Sequence, residues 1–440
     1  MGKLFSVGGL SGGAIGFSGP EEVLKPDWNL SAGDKRLLRE LAKQYKEIAA
    51  NPANDERRRR GKDMHSLKPV RPPVLIDELP WNEMNWNGEL TLHCESEEGR
   101  ILEDFFRRSL FRWKHFQVDM VVEDALYLMK AYTNTGIGIG IDEDILVMDK
   151  DNDVVSHGYK DQLDTEAKLE ALKVPVVKAY PEIDGENAAA LCELFDGILD
   201  VRLRGHFVRL STWDSLSMYR GVTPCLEDIV ERPEFIHKTM AKFTELGIAA
   251  FDQMLAQGLL DWNIETLHCT PAYTSELPAE DYTGTVRYKD LWYRGMAQCL
   301  SMVSPAMRKE FEFDYIRPFM SQFGLVYYGC CEPMDNCMDI LKTFPNMRKI
   351  GCSPWADVRR MAEESGGHFV IARKPNPAAV AMVIDEDALR REISETVDVC
   401  MANKCPYEFV LKDVSTVGKK AENIFTWARI VTNVLDTYYG

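Results

Sequence analysis

The chain has 440 residues, 45% of them hydrophobic, enough to bury a large core in one elaborated αβ barrel or in two ordinary domains. Its 69 acidic against 52 basic residues give a net charge of −17, which argues against nucleic acid or an anionic membrane as the main partner. Eleven cysteines with no CxxC spacing argue against a secreted disulfide framework and for a reducing, cytoplasmic setting, and no apolar run approaches the ~18 residues of a membrane helix.

In chain order, the first twenty residues hold seven glycines and a single cation, Lys3, which fails the tests for a signal peptide and reads as a flexible or surface-draped tail. A helix capped by Asp34 follows, with the apolar stripe Leu37, Leu38, Leu41, Tyr45 and Ile48, stopped by Asn51-Pro52. The basic run Arg57 to Arg60, directly after Asp55 and Glu56, reads as a solvated, ion-paired face. Residues 1–65 are thus expected as a tail plus helical extension.

Strands are expected over 74–76 and 120–122, with a helix over 96–115 between them. Residues from about 130 to 200 fit no βα unit and read as an inserted lid or edge subdomain. Within them 137–141 is strand-like and 149–153 reads as a tight acidic turn. The alternating aspartates of that turn fail as a calcium loop, because Val154 stands where the required glycine would be and Lys160 where the closing glutamate would be. Alternation resumes over 206–210, a helix spans 233–258, and 264–269 makes a strand ending in His268 and Cys269. Residues 288–303 and 311–322 read as helical. Four further strand ends follow, at 323–328, 349–353, 369–372 and 409–413, with helices over 357–364 and 385–401. This repetition predicts an α/β fold, a (β/α)8 TIM barrel over 66–440 with an N-terminal helical extension and an inserted subdomain.

In such a barrel the carboxyl ends of the strands converge on the chemistry. Those ends offer Cys330, Cys352 and Asp413, two thiolates and a carboxylate that make a zinc set with the fourth position open. The alternative is thiols that merely pack, since cysteine behaves as a small hydrophobe. Cys331 and Glu332 replace them if the register shifts by one. His268 at a cavity rim moves a proton near neutrality or is satisfied structurally, and His93-Cys94 is a similar pair in a loop. Tyr273, Tyr327 and Tyr328 hydrogen-bond a substrate or supply apolar wall, Lys374 binds an anionic group, and Asp77, Glu78 and Glu123 line the rim or are solvated.

Four stretches, Tyr328-Gly329-Cys330-Cys331-Glu332-Pro333, Ile350-Gly351-Cys352-Ser353-Pro354-Trp355-Ala356-Asp357, Lys374-Pro375-Asn376-Pro377 and Lys412-Asp413-Val414-Ser415-Thr416, resemble the uroporphyrinogen decarboxylase-like superfamily, in particular its corrinoid-linked methyltransferase branch. The resemblance spans roughly 65–440 and implies a single open-topped barrel. Arg71-Pro72-Pro73 is followed by Val74-Leu75-Ile76-Asp77 instead of the decarboxylase's arginine-rich motif, which removes the cations that hold a polycarboxylate porphyrinogen. The zinc branch typically has an H-x-C element and a final Cys; here Tyr328 stands at the His and Asp413 near the last Cys, so Cys330 alone carries over. The resemblance implies a methoxylated or N-methylated donor, with zinc or a proton from Glu332, His268 or Tyr328 polarising the leaving atom. Lys374, Tyr273 and Tyr327 would contact the substrate. The acceptor would be the Co(I) corrinoid of a separate partner protein, and a homodimer is admitted. A lyase acting on a small carboxylic acid, held by Lys374 or an arginine, is the alternative, and a non-catalytic assembly subunit is the third.

Overall fold

Short runs of β-branched and aromatic residues between amphipathic helices build one all-parallel sheet. The structure, a computed structural model, describes residues 14, 15, 17, 22, 23, 25–147, 150 and 155–440. The strands are β1 (Ala14–Ile15), β2 (Val74–Ile76), β3 (Val208–Arg209), β4 (Trp292–Gly295), β5 (Leu325–Tyr328), β6 (Met347–Cys352), β7 (Val370–Arg373) and β8 (Tyr407–Leu411). Their spatial order is β1-β3-β4-β5-β6-β7-β8-β2. Every pairing in it is parallel.

The sheet is curled. Strands β6 and β8 have β7 between them, about 10 Å of sheet, yet inward Lys349 Nζ and Glu408 Oε1 meet at 2.9 Å. Outward residues Tyr293, Val326, Tyr328, Ile350, Ile371 and Phe409 join one large core with the surrounding helices. Those helices include Pro233–Ala256, Glu386–Ala402 and Glu422–Tyr439. Inward Trp292, Leu325, Tyr327 and Ala372 form a separate cluster. That two-residue alternation decides which side chains reach the interior. The structure shows a curled parallel sheet, compatible with the barrel expected; among the described residues no pairing joins β1 to β2, so its closure is not shown.

The seam lies where a second strand was expected, over 120–122. Asp119 makes one rung with β2, donating its backbone N–H to Val74 O at 2.9 Å and accepting from Val74 N on its carboxylate at 2.8 Å. Beyond it, side chains of the helix Ala53–His65 take the place of a neighbouring strand. Arg57 and Arg58 donate to Met120 O (2.6 Å) and Val122 O (3.2 Å), and Asn54 Oδ1 accepts from Val122 N (2.9 Å). The backbone polar groups are satisfied without a ladder, and this is what part of the basic run does besides pairing with Asp55 and Glu56.

Three other expectations shift. Residues 288–303 contain β4 rather than a helix, as the β-forming pair Trp292-Tyr293 admits. The expected strand over 264–269 shrinks to Thr266–Leu267, paired antiparallel with Thr270–Pro271. Residues 137–141 form no strand; the insertion instead pairs Tyr132–Asn134 with Val177–Ala179 and Glu143–Leu146 with Ser156–Tyr159. The acidic turn at 149–153 lies outside the described residues except for Lys150, as does most of the N-terminal tail. Within that tail Ala14–Ile15 adds to the sheet beside β3, and Phe17 is buried 5.2 Å from the ring of Phe243. A second core joins the helices Ala32–Ala49, Glu97–His115 and Pro181–Leu194 through Leu38, Tyr45, Phe106 and Leu191.

Candidate active site

Four chain segments bent by an unusual backbone meet at the carboxyl ends of the strands. Gly329, at φ 90°, turns the chain out of β5; a Cβ there would sit 2.8 Å from Met334 and 3.3 Å from Gly351 N. Glu78 after β2 (φ 48°), Asp413 after β8 (φ 57°) and the turn residues His268 (φ 46°) and Cys269 (φ 74°) are all left-handed. Strain of this kind in side-chain-bearing residues concentrates at functional sites.

The turn out of β5 is pinned from behind. Glu332, wholly buried, accepts from Cys330 N at 2.8 Å and from Ala297 N at 3.0 Å. In front, Lys374 Nζ donates to Cys330 O at 2.8 Å. These bonds aim the Cys330 thiol at Lys412, whose Nζ lies 3.5 Å from Sγ. The same ammonium lies 3.1 Å from Glu78 Oε2, 3.3 Å from Asp413 Oδ2 and 3.4 Å from His268 Nε2. Cys331 Sγ lies 3.7 Å from Cys330 Sγ and donates to Asp413 Oδ2 at 3.2 Å.

The electrostatics follow from these contacts. Contact with the Cys331 sulfur, together with the Lys374 and Lys412 charges and His268, holds Cys330 well below the usual thiol range despite its burial. The same contact pushes Cys331 up, and burial pushes up Cys269. Lys412 is raised, because Cys330, Cys269, Glu78 and Asp413 outweigh the desolvation of its ammonium. His268 is lowered, chiefly by burial, against the pull of Cys330 and Glu78. These directions favour a buried thiolate–ammonium pair, edged by an imidazole, two further thiols and two carboxylates.

Of the residues expected from sequence, Cys330, His268, Asp413 and Lys374 come together here. Tyr327 faces inward next to them, its ring 5.8 Å from Lys374 Nζ. Cys352 is not brought to the cluster. It points into the layer between sheet and helices, 3.6 Å from Arg373 Nη1, so the three expected metal ligands do not share one hollow. Tyr328 also faces outward, its ring 5.0 Å from Phe313, because it lies one residue from inward Tyr327. Glu332 lies behind the site as the anchor of the turn. Tyr273 is elsewhere, donating to Glu123 Oε1 at 2.7 Å beside a cavity of about 70 Å³ at the seam.

Lys412 and Cys269 were missed as functional residues, and Glu78 was read only as rim. A lysine closing the otherwise apolar run Phe409-Val410-Leu411 was the available signal for Lys412. For Cys269 the signal was its place beside His268 among the ligand-type side chains that end the 264–269 stretch.

The donor types suit zinc. Glu78, His268 and Cys269 offer ligand atoms that all lie within 4.8 Å of one another, and Cys330 adjoins His268. This nitrogen, sulfur and oxygen set differs from the expected Cys330, Cys352 and Asp413.

No protein-family model matches the chain, and no curated protein matches it. Among solved structures, a methyltransferase from Methanosarcina mazei aligns with 87% of this chain and 99% of its own, at a TM-score of 0.46 and 10% sequence identity.

Proposed function

We propose that the chain is a methyltransferase that takes a methyl group from a small methoxylated or N-methylated donor and passes it to the Co(I) corrinoid of a partner protein. The observation that carries this reading is the Cys330–Lys412 pair at the strand ends, 3.5 Å apart, with His268, Cys269 and Glu78 around it. Demethylation needs the donor heteroatom to leave with its bonding electrons, and an ammonium poised beside that atom supplies the proton it takes up. Lys412 holds that proton, with Glu78 and Asp413 keeping the ammonium in place. His268 passes protons between the cluster and the donor.

Three of Cys330, His268, Cys269 and Glu78 would hold zinc with the fourth position open, where the ion would act as a Lewis acid on the donor heteroatom. The lowering of the Cys330 thiol favours the deprotonated form that such a role requires.

The test is a panel of methoxylated and N-methylated donors incubated with the protein and a Co(I) corrinoid. Methyl–Co(III) formation, seen as a spectral change and lost in Cys330→Ala, is the expected result. Carbon dioxide release from a small acid without corrinoid would select the lyase instead.

A further inference from the structure

The inward face of the sheet carries a row of direct neighbours across four strands. Arg209 on β3 aligns with Arg294 on β4, Arg294 with Tyr327 on β5, and Tyr327 with Lys349 on β6. Like charges side by side in a buried sheet face repel, and each needs a counter-charge. Lys349 has Glu408 at 2.9 Å.

The arginines are different. Arg294 is wholly buried, and its Nη1 donates back to the carbonyl of Gly295. Among the described residues its Nε and Nη2 have no hydrogen-bond partner. Its guanidinium carbon sits 3.9 Å above the Tyr327 ring, whose hydroxyl is also buried without a partner. Burial, with Arg294 beside it, holds Arg209 below its ordinary value. A planar guanidinium fork with two free donors, a second guanidinium next to it and a free phenol is a complementary surface for an oxyanion.

We infer that Arg294, with Arg209 and the Tyr327 hydroxyl, forms an oxyanion subsite and that the small molecule bound beside Cys330 carries a carboxylate there. Cys330 is three residues beyond Tyr327 along the chain, about 10 Å if fully extended. A short molecule therefore spans the two, with its carboxylate on Arg294 and its methylated oxygen or nitrogen at Lys412. Only the naming of this molecule as a methyl donor rests on the proposed function. The subsite itself rests on the unpartnered donors.

Binding is measured by titration calorimetry in chloride-free buffer with matched pairs: acetate and acetamide, benzoate and benzamide, 4-methoxybenzoate and 4-methoxybenzamide, N,N-dimethylglycine and its amide. At least one carboxylate is expected to bind 10-fold or more tightly than its amide, and Arg294→Gln to bring that ratio to near one. If Arg294→Gln fails to fold, Arg209→Gln is expected to reduce the ratio, and the wild-type pairs test the subsite without any variant. The inference is overturned if no carboxylate outbinds its amide, if the preference survives in Arg294→Gln, or if inorganic phosphate outbinds every carboxylate. A carboxylate preference without methyl transfer would sink the proposed reaction and leave the subsite standing; transfer without the preference would do the reverse.

Discussion

Lys412 Nζ and Cys330 Sγ lie 3.5 Å apart although their strands, β8 and β5, are separated by two others in the sheet. In a flat sheet that separation is about 14 Å, beyond the combined reach of the two side chains. Curling of the sheet and the turn at Gly329 together bring the pair into contact, and this couples the fold to the thiolate.

Replacing Lys412 by Met should raise the Cys330 pKa, because Lys374, Cys331 and His268 then stabilise the thiolate without one of its two ammonium neighbours. The thiolate absorbance of wild type minus Cys330→Ser, followed against pH, is expected to titrate at higher pH in the Lys412→Met background. Methyl transfer should fall by roughly 10²-fold or more, the range for loss of a positioned proton donor. An unchanged titration would mean that Lys412 does not set the charge on Cys330.

The two cysteines paired in the sequence reading should separate cleanly. Cys330→Ala removes the thiolate from the cluster and should abolish transfer. Cys352→Ala deletes a small packed group behind the sheet, costing about 1–2 kcal/mol in unfolding free energy and leaving kcat within a few-fold. Loss of activity in Cys352→Ala with an unchanged urea midpoint would contradict its placement outside the site.

How much of this was legible beforehand follows from strand geometry. Strands β5 to β8 each announce themselves as an apolar run after a helix, so Cys330, Asp413 and Lys374 were placed at strand ends from sequence alone. Side-chain direction was not legible to the same degree. A shift of one residue swaps the faces of a strand, and Cys352 and Tyr328 fell on the outward one. The helix read over 288–303 hid β4 and with it Arg294. The seam at 120–122 was unreadable because its hydrogen-bond partners come from the side chains of Asn54, Arg57 and Arg58, some 65 residues earlier. No periodicity encodes such a substitution.

Glu332 accepts two buried backbone N–H bonds, from Cys330 and Ala297. Glu332→Ala leaves both donors unsatisfied, at about 1–3 kcal/mol each, and frees the turn that aims the thiol. Glu332→Gln keeps an acceptor for one of them and should fall between wild type and Ala in urea unfolding. Wild-type stability in Glu332→Ala would show that the turn does not depend on this anchor.

Glu312 provides the pH test. It is buried beside Arg308, at 3.4 Å, and burial pushes its carboxyl from 4.5 up to about 8 against the pull of Arg308, with Glu332 adding to the rise. Between those two values the folded chain keeps a proton that the unfolded chain has released. The protonated-state contribution is therefore fully present below pH 4.5 and is lost as pH rises through about 8. Glu312→Gln cannot titrate, so the variant's unfolding free energy relative to wild type should rise from pH 5 to pH 8 and level off above that. The absolute stability of the variant does not enter this comparison, which reads only how the difference changes with pH. Parallel urea-unfolding curves for the two proteins across pH 5 to 8 would mean that the proton resides elsewhere.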